Sequence, residues 1–242
     1  MSLISQSMHW LARKCGVEYR RYCKENWGNL RQAHIFANKD IDLVVDVGAN
    51  RGDYVAAFRA NGYIGPAISF EPLPDAFQAL SQRASADRFW HCVNAAVGDK
   101  NGEIEMYVSG RETSSSILKV GDAHLKAAPE SRSVGRTSVQ IRRLDDALAG
   151  IALADKAKRI WLKADVQGFE KEVMKGAAGT IKRTEVIELE LATTRVYEGG
   201  PLILEMMQYV HEFGFSMISF EPMFIDPVTG YVLQGDGIFV RT

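Results

Sequence analysis

The pattern of hydrophobic and polar positions changes near residue 40. Over residues 5–36, apolar side chains recur at steps of three and four, which predicts a helical N-terminal extension over residues 1–40. From residue 43 onward, short apolar runs alternate with segments of helical periodicity. Such alternation is typical of a doubly wound α/β sheet. The pattern therefore predicts a second unit, an α/β domain over residues 41–242.

The strands of the predicted sheet follow from the apolar runs. The first run, LVVDVG, is apolar except for Asp46, which is typical of a strand buried on both faces of a parallel sheet. The last two runs have no helical pattern between them, so we expect them to pair antiparallel at one edge of the sheet. The main strands are predicted at 43–48, 67–72, 89–99, 159–166, 185–191, 215–220 and 236–241.

Helices and one insertion fill the intervals between these strands. The turn signal Asn101-Gly102 precedes the alternating segment EIEMYV, and residues 137–144 alternate in the same way. Together these segments predict an inserted β-hairpin. Helices are predicted after the first strand and at 74–84, 145–158, 169–181 and 202–213.

Composition and charge exclude some classes of protein. The 242 residues are 46% hydrophobic and 24% charged, as in an ordinary globular protein, and a net charge of −1 argues against a nucleic-acid partner. The three cysteines form no C-x-x-C pair, which argues against a disulfide scaffold or a zinc ribbon. No apolar run is long enough to span a membrane and no secretory leader is recognisable, so we expect a cytoplasmic protein.

Residues 1–39 carry an excess of positive charge. Seven lysines and arginines stand there against two acidic residues. A basic amphipathic helix could rest on a membrane surface or on a partner, including a second copy of the chain, or it could pack on the domain's own core. The sequence leaves these alternatives open.

A glycine-rich turn, GANRG, follows the first predicted strand. Gly48 and Gly52 allow a sharp turn and a close approach of ligand to backbone, at the edge where α/β sheets bind ligands. The spacing lacks the third glycine of the dinucleotide fingerprint. Glu71, at the end of the second strand, can accept hydrogen bonds from both hydroxyls of a ribose. With Asp46 available for an ammonium group, these residues predict a nucleoside without pyrophosphate, such as S-adenosylmethionine.

Five motifs occur in the order found in one known family. Through DVGANRGDY, SFEP, NAAVGDKNG, LKADVQGFEKEVMKGA and IELEL, the chain from about residue 41 onward resembles the FkbM-type S-adenosylmethionine-dependent methyltransferases. The resemblance implies a Rossmann-like class I methyltransferase fold with about seven strands, the last of them antiparallel. It also implies O-methylation, often of sugars, glycolipids, polysaccharides or polyketide-type products, so a small-molecule or glycan acceptor is expected.

The resemblance also assigns donor-binding roles at the ends of the first three strands. The glycine turn and Asp46 would hold the methionine portion, Glu71 would hold the ribose, and residues 94–97 would flank the adenine. The predicted donor-binding residues are Asp46, Gly48, Ala49, Asn50, Gly52, Glu71, Pro72, Asn94, Ala95, Ala96 and Val97.

Candidates for the base that accepts the hydroxyl proton come from the fourth and fifth strands. Asp165 ends the fourth strand and is the first candidate, and Glu190, near the end of the fifth, is the second. Glu188 shares a face with Glu190, which is costly inside a sheet unless each carboxylate is paired or faces a site. Glu170 could orient Asp165. Asp165, Glu170 and Glu190 could also bind Mg²⁺, but no Asp-Asp pair follows the fifth strand, so a metal is not favoured.

Other residues supply weaker candidates. His124 is a reserve base on an exposed loop, and the remaining histidines are expected to be structural. The serines at 114–116, together with Tyr197 and Glu198 after the fifth strand, could border the acceptor.

Three functions stay open on the sequence alone. The favoured one is methyl transfer from S-adenosylmethionine to a hydroxyl of a sugar in a glycolipid, oligosaccharide or polysaccharide. The alternatives are a nucleotide-dependent oxidoreductase or epimerase on a similar sheet, and a cofactor-binding module without catalytic activity.

Overall fold

The computed structural model describes residues 28–242, with the backbone alone for residues 28–31. Most of the predicted N-terminal helix therefore lies outside the described residues, and its last part forms helix α1 (Gly28–Asn38). The division of the chain at residue 40 and the role of the basic segment stay predictions.

Strands and helices alternate after α1. The strands are β1 (Leu43–Val47), β2 (Ala67–Phe70), β3 (Trp90–Val93), β4 (Ala96–Gly98), β5 (Gly102–Ser109), β6 (Ser133–Arg143), β7 (Ile160–Ala164), β8 (Thr184–Ala192), β9 (Phe215–Ile225) and β10 (Val232–Arg241). The helices are α2 (Asp53–Ala60), α3 (Pro74–Ala84), α4 (Asp122–Ala127), α5 (Leu144–Leu148), α6 (Ala152–Lys156), α7 (Glu170–Lys175), α8 (Ala178–Ile181) and α9 (Ile203–His211).

Seven strands form the main sheet, in the order β3-β2-β1-β7-β8-β10-β9. Neighbouring strands from β3 to β8 are parallel, whereas β10 runs antiparallel to both β8 and β9. The strand order reverses between β1 and β7, at the centre of the sheet. The predicted doubly wound sheet of seven strands with an antiparallel last strand is confirmed.

The central strand β1 is buried on both faces of the sheet. All five of its residues are buried, and the four apolar ones alternate between two hydrophobic clusters. Val45 and Val47 belong to one cluster, and Val44 packs with Trp161 in the other. Asp46 points to the same face as Val44, because side chains alternate along a strand. The apolar run with one internal carboxylate is thus explained by a strand with no solvent face.

A second sheet contains three strands, in the order β4-β6-β5. β5 and β6 pair antiparallel, as predicted for the inserted hairpin, and β4 adds in parallel to β6. The prediction of a single strand over 89–99 is therefore wrong, because β3 stays in the main sheet and β4 joins the second one. Asn94 lies between them, and its side-chain nitrogen donates to the carbonyl oxygens of Glu71 and Pro72, at 2.8 and 3.1 Å. These bonds hold the chain at the end of β2, where it leaves the main sheet.

Two predicted helices are each divided in two. The segment 145–158 forms α5 and α6, separated by Gly150 in the left-handed region at φ 81°. The segment 169–181 forms α7 and α8, separated at Gly176, where a Cβ would lie 1.9 Å from the carbonyl oxygen of Gly98. The glycine therefore lets the end of α7 pack directly on β4. No helix between residues 28 and 242 has the length and apolar character needed to cross a membrane.

Candidate active site

A cleft lies at the carboxyl ends of β1, β2 and β7, where the strand order reverses. Open α/β sheets bind their ligands at this edge. The wall of the cleft includes the apolar side chains of Leu73, Met106 and Ile117, and Asp165 lies in the same cleft. Seven of the eleven predicted donor-binding residues line it, namely Gly48, Asn50, Glu71, Pro72, Ala95, Ala96 and Val97.

Three of the other four predicted donor-binding residues shape the backbone around the cleft. Gly52 precedes α2 at φ 81°, where a Cβ would lie 2.8 Å from Leu80 Cδ1. Ala49 is buried, and its N–H donates to the carbonyl oxygen of Phe70 at 2.9 Å. Asn94 ties the loop after β3 to the end of β2. These residues support the lining of the cleft, and a direct contact with a ligand stays a prediction for them.

Gly48 brings the ends of β1 and β7 together. It has φ 82°, and a Cβ at this position would lie 1.9 Å from the carbonyl oxygen of Asp165. The N–H of Asp165 donates to the carbonyl oxygen of Val47 at 3.0 Å. Only glycine permits this approach. The turn therefore places Asp165 beside the residues predicted to bind the donor.

Glu71 is held by two backbone groups. The N–H of Asn50 donates to its Oε2 at 2.9 Å, and the N–H of Leu73 donates to its Oε1 at 2.8 Å. Burial raises the pKa of Glu71 to about 7, although the two N–H bonds act in the opposite direction. Asn50 takes the left-handed conformation at φ 47°, which turns its N–H toward the carboxylate. The side chain is therefore fixed at the edge of the cleft.

Asp46, the fourth remaining donor-binding candidate, is fully buried behind the glycine turn. Its Oδ1 lies 3.8 Å from Lys163 Nζ, and its Oδ2 accepts a bond from Ser69 Oγ at 3.4 Å. Burial raises the pKa of Asp46 to about 6, against the opposing effect of the Lys163 charge. Asp46 is thus arranged to support Lys163, and its predicted contact with a ligand ammonium group is untested.

Lys163 and Gln167 hold the carboxylate of Asp165 from two sides. Lys163 Nζ donates to Oδ2 at 3.2 Å, and Gln167 Nε2 donates to Oδ1 at 2.8 Å. The same Gln167 nitrogen donates to Glu190 Oε2 at 2.8 Å, and Gln234 Nε2 donates to that oxygen at 2.7 Å. Gln167 therefore links the two carboxylates that the sequence singles out as candidate bases.

Glu170 is buried and Glu190 is half-buried, and both lie near other carboxylates. Burial and the charges of Asp165 and Glu170 raise the pKa of Glu190 well above its ordinary value. Glu170 Oε1 accepts from the N–H groups of Val166 and Gly168, at 3.1 Å each, and burial raises its pKa to about 7. Glu170 thus fixes the loop that carries Gln167.

The Mg²⁺ site considered for Asp165, Glu170 and Glu190 is not formed. Between residues 28 and 242, no group of three or more histidine, cysteine, aspartate or glutamate side chains has the arrangement of a metal site. The three carboxylates are instead engaged by Lys163, Gln167 and backbone N–H groups.

Glu188 is paired within the protein, as its shared face with Glu190 requires. Its Oε2 accepts bonds from the Tyr54 hydroxyl at 2.5 Å and from Trp161 Nε1 at 3.1 Å, and Gln32 Nε2 donates to its Oε1 at 3.1 Å. Burial raises the pKa of Glu188 to about 7, while Tyr54 and Lys163 act in the opposite direction.

His124 is not the exposed loop residue that the sequence suggests. It lies in α4, is buried, and packs edge-on against Tyr197 with the ring centres 5.3 Å apart. Burial lowers the pKa of His124 to about 4. The expectation of an exposed reserve base is therefore wrong, because the insertion folds back and encloses the ring between Tyr197 and Phe224.

Tyr197 and Ser116 form hydrogen bonds with Gln167. The Tyr197 hydroxyl lies 2.7 Å from Gln167 Oε1, and Ser116 Oγ donates to the carbonyl oxygen of Gln167 at 2.8 Å. Ser115 lines the cleft. Glu198 is exposed and pairs with Lys119 at 2.6 Å. Of these candidates for the acceptor border, only Ser115 reaches the cleft lining.

Sequence reasoning missed three side chains of this network, Lys163, Gln167 and Gln234. Lys163 carries a usable signal, because a lysine inside the otherwise apolar strand IWLKA must find a carboxylate partner once buried. Gln167 is a residue other than glycine in the left-handed conformation, at φ 58°, which the sequence does not reveal. Gln234 meets Glu190 across 44 positions of the chain and leaves no local signal.

The order of the main sheet, the antiparallel β10 and the cleft at the reversal point define a class I methyltransferase fold. The sequence model of the Methyltransferase FkbM domain matches residues 46–217, and the chain belongs to this family. The matched segment contains every candidate base named above. The predicted family is confirmed.

Two known proteins are similar to this chain. It is 27% identical over 175 residues to the 2-O-methyltransferase NoeI of Sinorhizobium fredii (strain NBRC 101917 / NGR234), which covers 70% of this chain and 71% of NoeI. The crystal structure of the methyltransferase FkbM from Methylobacillus flagellatus KT superposes with a TM-score of 0.52 at 15% identity. That match covers 83% of this chain but only 44% of the other, so this chain spans less than half of that protein's length. The structural likeness supports the fold.

Proposed function

We propose that the protein is an S-adenosylmethionine-dependent O-methyltransferase that acts on a sugar hydroxyl of a glycolipid, an oligosaccharide or a polysaccharide. The observation that carries the proposal is a single cleft lined by both Glu71 and Asp165. The first carboxylate is suited to a ribose, and the second to the proton of an acceptor hydroxyl. The relative NoeI is named a 2-O-methyltransferase, which supports oxygen as the acceptor atom.

The lining of the cleft fits S-adenosylmethionine. Each oxygen of Glu71 accepts one backbone N–H, which leaves a further lone pair on each for a ribose hydroxyl. The side chains of Leu73, Val97 and Met106 offer apolar surface suited to the faces of an adenine ring. When bound, S-adenosylmethionine supplies a methyl group that its sulfonium has already activated.

Asp165 is the base in this proposal. It accepts the proton of the acceptor hydroxyl, while Lys163 and Gln167 keep its carboxylate in one orientation. Glu190 is less suited to the role because it does not line the cleft, and its Oε2 already accepts bonds from Gln167 and Gln234. Much of the remaining rate enhancement comes from holding the two reactants in line.

Calorimetric titration tests the donor. The purified protein is titrated with S-adenosylmethionine, S-adenosylhomocysteine and NAD, and the titrations are repeated with Glu71→Ala. We expect micromolar binding of both adenosyl compounds and a loss of about tenfold or more in Glu71→Ala. The matched control is Glu103→Ala, an exposed glutamate on β5 that pairs with Gln140. Tighter binding of NAD, or no adenosyl binding, would overturn the proposal in favour of an oxidoreductase or a different ligand.

Transfer of an isotopically labelled methyl group tests the acceptor. The protein is incubated with S-adenosylmethionine carrying a deuterated methyl group and with a panel of monosaccharides, oligosaccharides and glycolipids. Mass spectrometry and linkage analysis then locate the label, which we expect on a ring hydroxyl. Label on nitrogen or carbon, or no label on any carbohydrate, would contradict the proposed acceptor while leaving the donor assignment in place.

A further inference from the structure

Glu112 lies on the inserted loop between β5 and α4 and lines the same cleft as Glu71. Its Oε2 accepts a bond from Arg51 Nη2 at 2.8 Å. Its Oε1 is buried and has no hydrogen-bond partner among residues 28–242. A buried carboxylate oxygen without a donor is unfavourable. Glu112 Oε1 is therefore a hydrogen-bond acceptor without a donor at the border of the cleft.

The loop that carries Glu112 is fixed by the protein around it. Tyr107 and Ser116 exchange two backbone hydrogen bonds, at 2.8 and 3.1 Å, and so form an antiparallel β-bridge that joins the two ends of the loop. The N–H of Ser109 donates to Ser115 Oγ at 3.0 Å, and Ser109 Oγ donates to the carbonyl oxygen of Ser131 at 3.0 Å. These bonds hold the backbone of the loop, and the pair to Arg51 orients the carboxylate of Glu112, whose side chain is 36% exposed.

Arg51 belongs to the glycine turn, so the ion pair joins the inserted loop to the predicted donor site. Glu112 and Glu71 line the same cleft, and the charge of Glu112 adds slightly to the effect of burial, which is the main cause of the raised pKa of Glu71. A ligand between them is favoured if it carries hydrogen-bond donors or positive charge. S-adenosylmethionine has both, in its ribose hydroxyls, its ammonium group and its sulfonium.

We propose that Glu112 is a further donor-binding residue, whose Oε1 accepts a hydrogen bond from a hydroxyl or the ammonium group of S-adenosylmethionine. This assignment rests on the proposed function of the cleft. It adds a contact from the inserted loop to those expected from the ends of the parallel strands. The second sheet would thereby take part in donor binding as well as in enclosing the cleft.

The test is the affinity for S-adenosylhomocysteine of the wild type, Glu112→Gln, Glu112→Asp and Glu112→Ala. In Glu112→Gln, the amide oxygen still accepts the bond from Arg51, and the NH₂ group turns toward the cleft. The NH₂ group is a hydrogen-bond donor, so it would face the hydroxyl or ammonium donor of the ligand. In Glu112→Asp, the carboxylate is retracted by one methylene group. We expect each variant to bind about tenfold or more weakly than the wild type, with an unchanged melting temperature.

A matched variant and a shorter ligand sharpen the test. Glu130→Gln changes an exposed glutamate of the same insertion, 3.8 Å from Arg111, and should bind like the wild type. 5′-Methylthioadenosine keeps the ribose but lacks the amino-acid portion. If Glu112→Gln weakens it as well, the bonded group is a ribose hydroxyl, and if only S-adenosylhomocysteine is weakened, it is the ammonium group. Both results support the assignment.

Two results would overturn it and are distinguishable. Wild-type binding of S-adenosylhomocysteine that all three Glu112 variants preserve would remove Glu112 from the donor site and leave the proposed function standing. Failure of the wild type itself to bind S-adenosylhomocysteine would remove the donor assignment, and the role of Glu112 with it.

Discussion

Glu71 on one side of the cleft and the linked pair Asp165 and Glu190 on the other have different kinds of hydrogen-bond partner. On the side formed by the ends of β1, β2 and β4, the donor half, Glu71 accepts bonds from the backbone N–H groups of Asn50 and Leu73. On the side formed by the carboxyl ends of β7 and β8 and the start of β10, the proposed acceptor half, Asp165 lines the cleft and Glu190 lines a separate small pocket. Both accept bonds from side chains, with Gln167 serving both.

The difference matters because a backbone N–H donor is retained when the side chain of its residue is replaced, and it cannot rotate away as a side-chain donor can. A carboxylate held by two of them is pre-organised, and the site requires a carboxylate there. Side-chain partners can be exchanged or can reorient, as Gln234 and Gln167 can by rotating their amides. In the proposed function, the side that holds Glu71 would therefore suit a constant ligand, the donor, whereas the side that holds Asp165 could change with few substitutions.

The largest effect that separates the two halves is expected for Asp165→Asn. The amide cannot take up the hydroxyl proton, so the rate of methyl transfer should fall by about 10²–10⁴-fold. Binding of S-adenosylhomocysteine should stay at its wild-type level, because the donor half is untouched. Stopped assays with labelled donor measure the rate, and Asp155→Asn in α6 is the matched control. Nearly full activity in Asp165→Asn would show that another group is the base.

The next effect concerns pH and Glu188, which is held by side chains. Its pKa is about 7 in the folded protein against an ordinary value of 4.5, so the folded state keeps a proton that the unfolded chain releases. The stability from this group is complete below pH 4.5 and is lost as the pH rises to 7. The Glu188→Gln side chain cannot ionise. Between pH 4.5 and 7, the free energy of unfolding of this variant minus that of the wild type should therefore increase by up to about 3 kcal/mol.

Urea unfolding of the wild type and Glu188→Gln at several pH values measures this gain. The comparison at pH 4.5 is the internal control, because the carboxyl is largely protonated there in the folded protein. A difference in unfolding free energy that stays constant from pH 4.5 to 7 would contradict the assignment.

A smaller effect separates the backbone of Gln167 from its side chain. Gln167→Ala and Gln167→Gly both remove the bonds to Asp165 and Glu190, so both should slow methyl transfer by about tenfold. The left-handed backbone at φ 58° favours glycine, and Gln167→Gly should be more stable than Gln167→Ala by about 1 kcal/mol. Equal stability of the two variants in urea unfolding would argue against backbone strain here.

The smallest effect is expected in the donor half, for Asn94→Ala. Loss of the bonds to the carbonyl oxygens of Glu71 and Pro72 should destabilise the protein by about 1 kcal/mol and weaken binding of S-adenosylhomocysteine by about threefold. Asn61→Ala, which loses a bond to the carbonyl oxygen of Ala57 at the end of α2, is the control. An equal loss of affinity in both variants, measured by calorimetry, would contradict a local role for Asn94.

The parts of the fold that the sequence predicts are those determined by local pattern. An apolar strand buried on both faces, a glycine turn and an acidic residue at the next strand end are visible within a few positions, and Glu71 takes one of its bonds from Leu73, two residues away. The break in the segment 89–99 depends instead on Asn94 reaching back 23 positions to Glu71. The pattern of apolar and polar positions does not reveal a hydrogen bond between residues that lie so far apart in the sequence.

On the side of Asp165 and Glu190, the sequence indicates the two carboxylates but not the side chains that bond to them. Asp165 and Glu190 stand out because charge is rare in buried strands. Their orientation depends on Lys163, Gln167 and Gln234, which meet only after β7, β8 and β10 pair. His124 was misjudged for a related reason, because the burial of an inserted helix is set by the residues that pack over it, here Tyr197 and Phe224.

The pairing of β4 with the end of β6 has a consequence for how such a protein can diversify. Gly98 and Arg143 are register partners, so the two ends of the insertion between them are already neighbours. A segment with its ends joined in this way can be lengthened, shortened or exchanged without separating the strands of the main sheet. The insertion is therefore an exchangeable segment, and a protein engineer could recombine it among relatives to vary the contacts that it makes at the cleft while the central sheet stays the same.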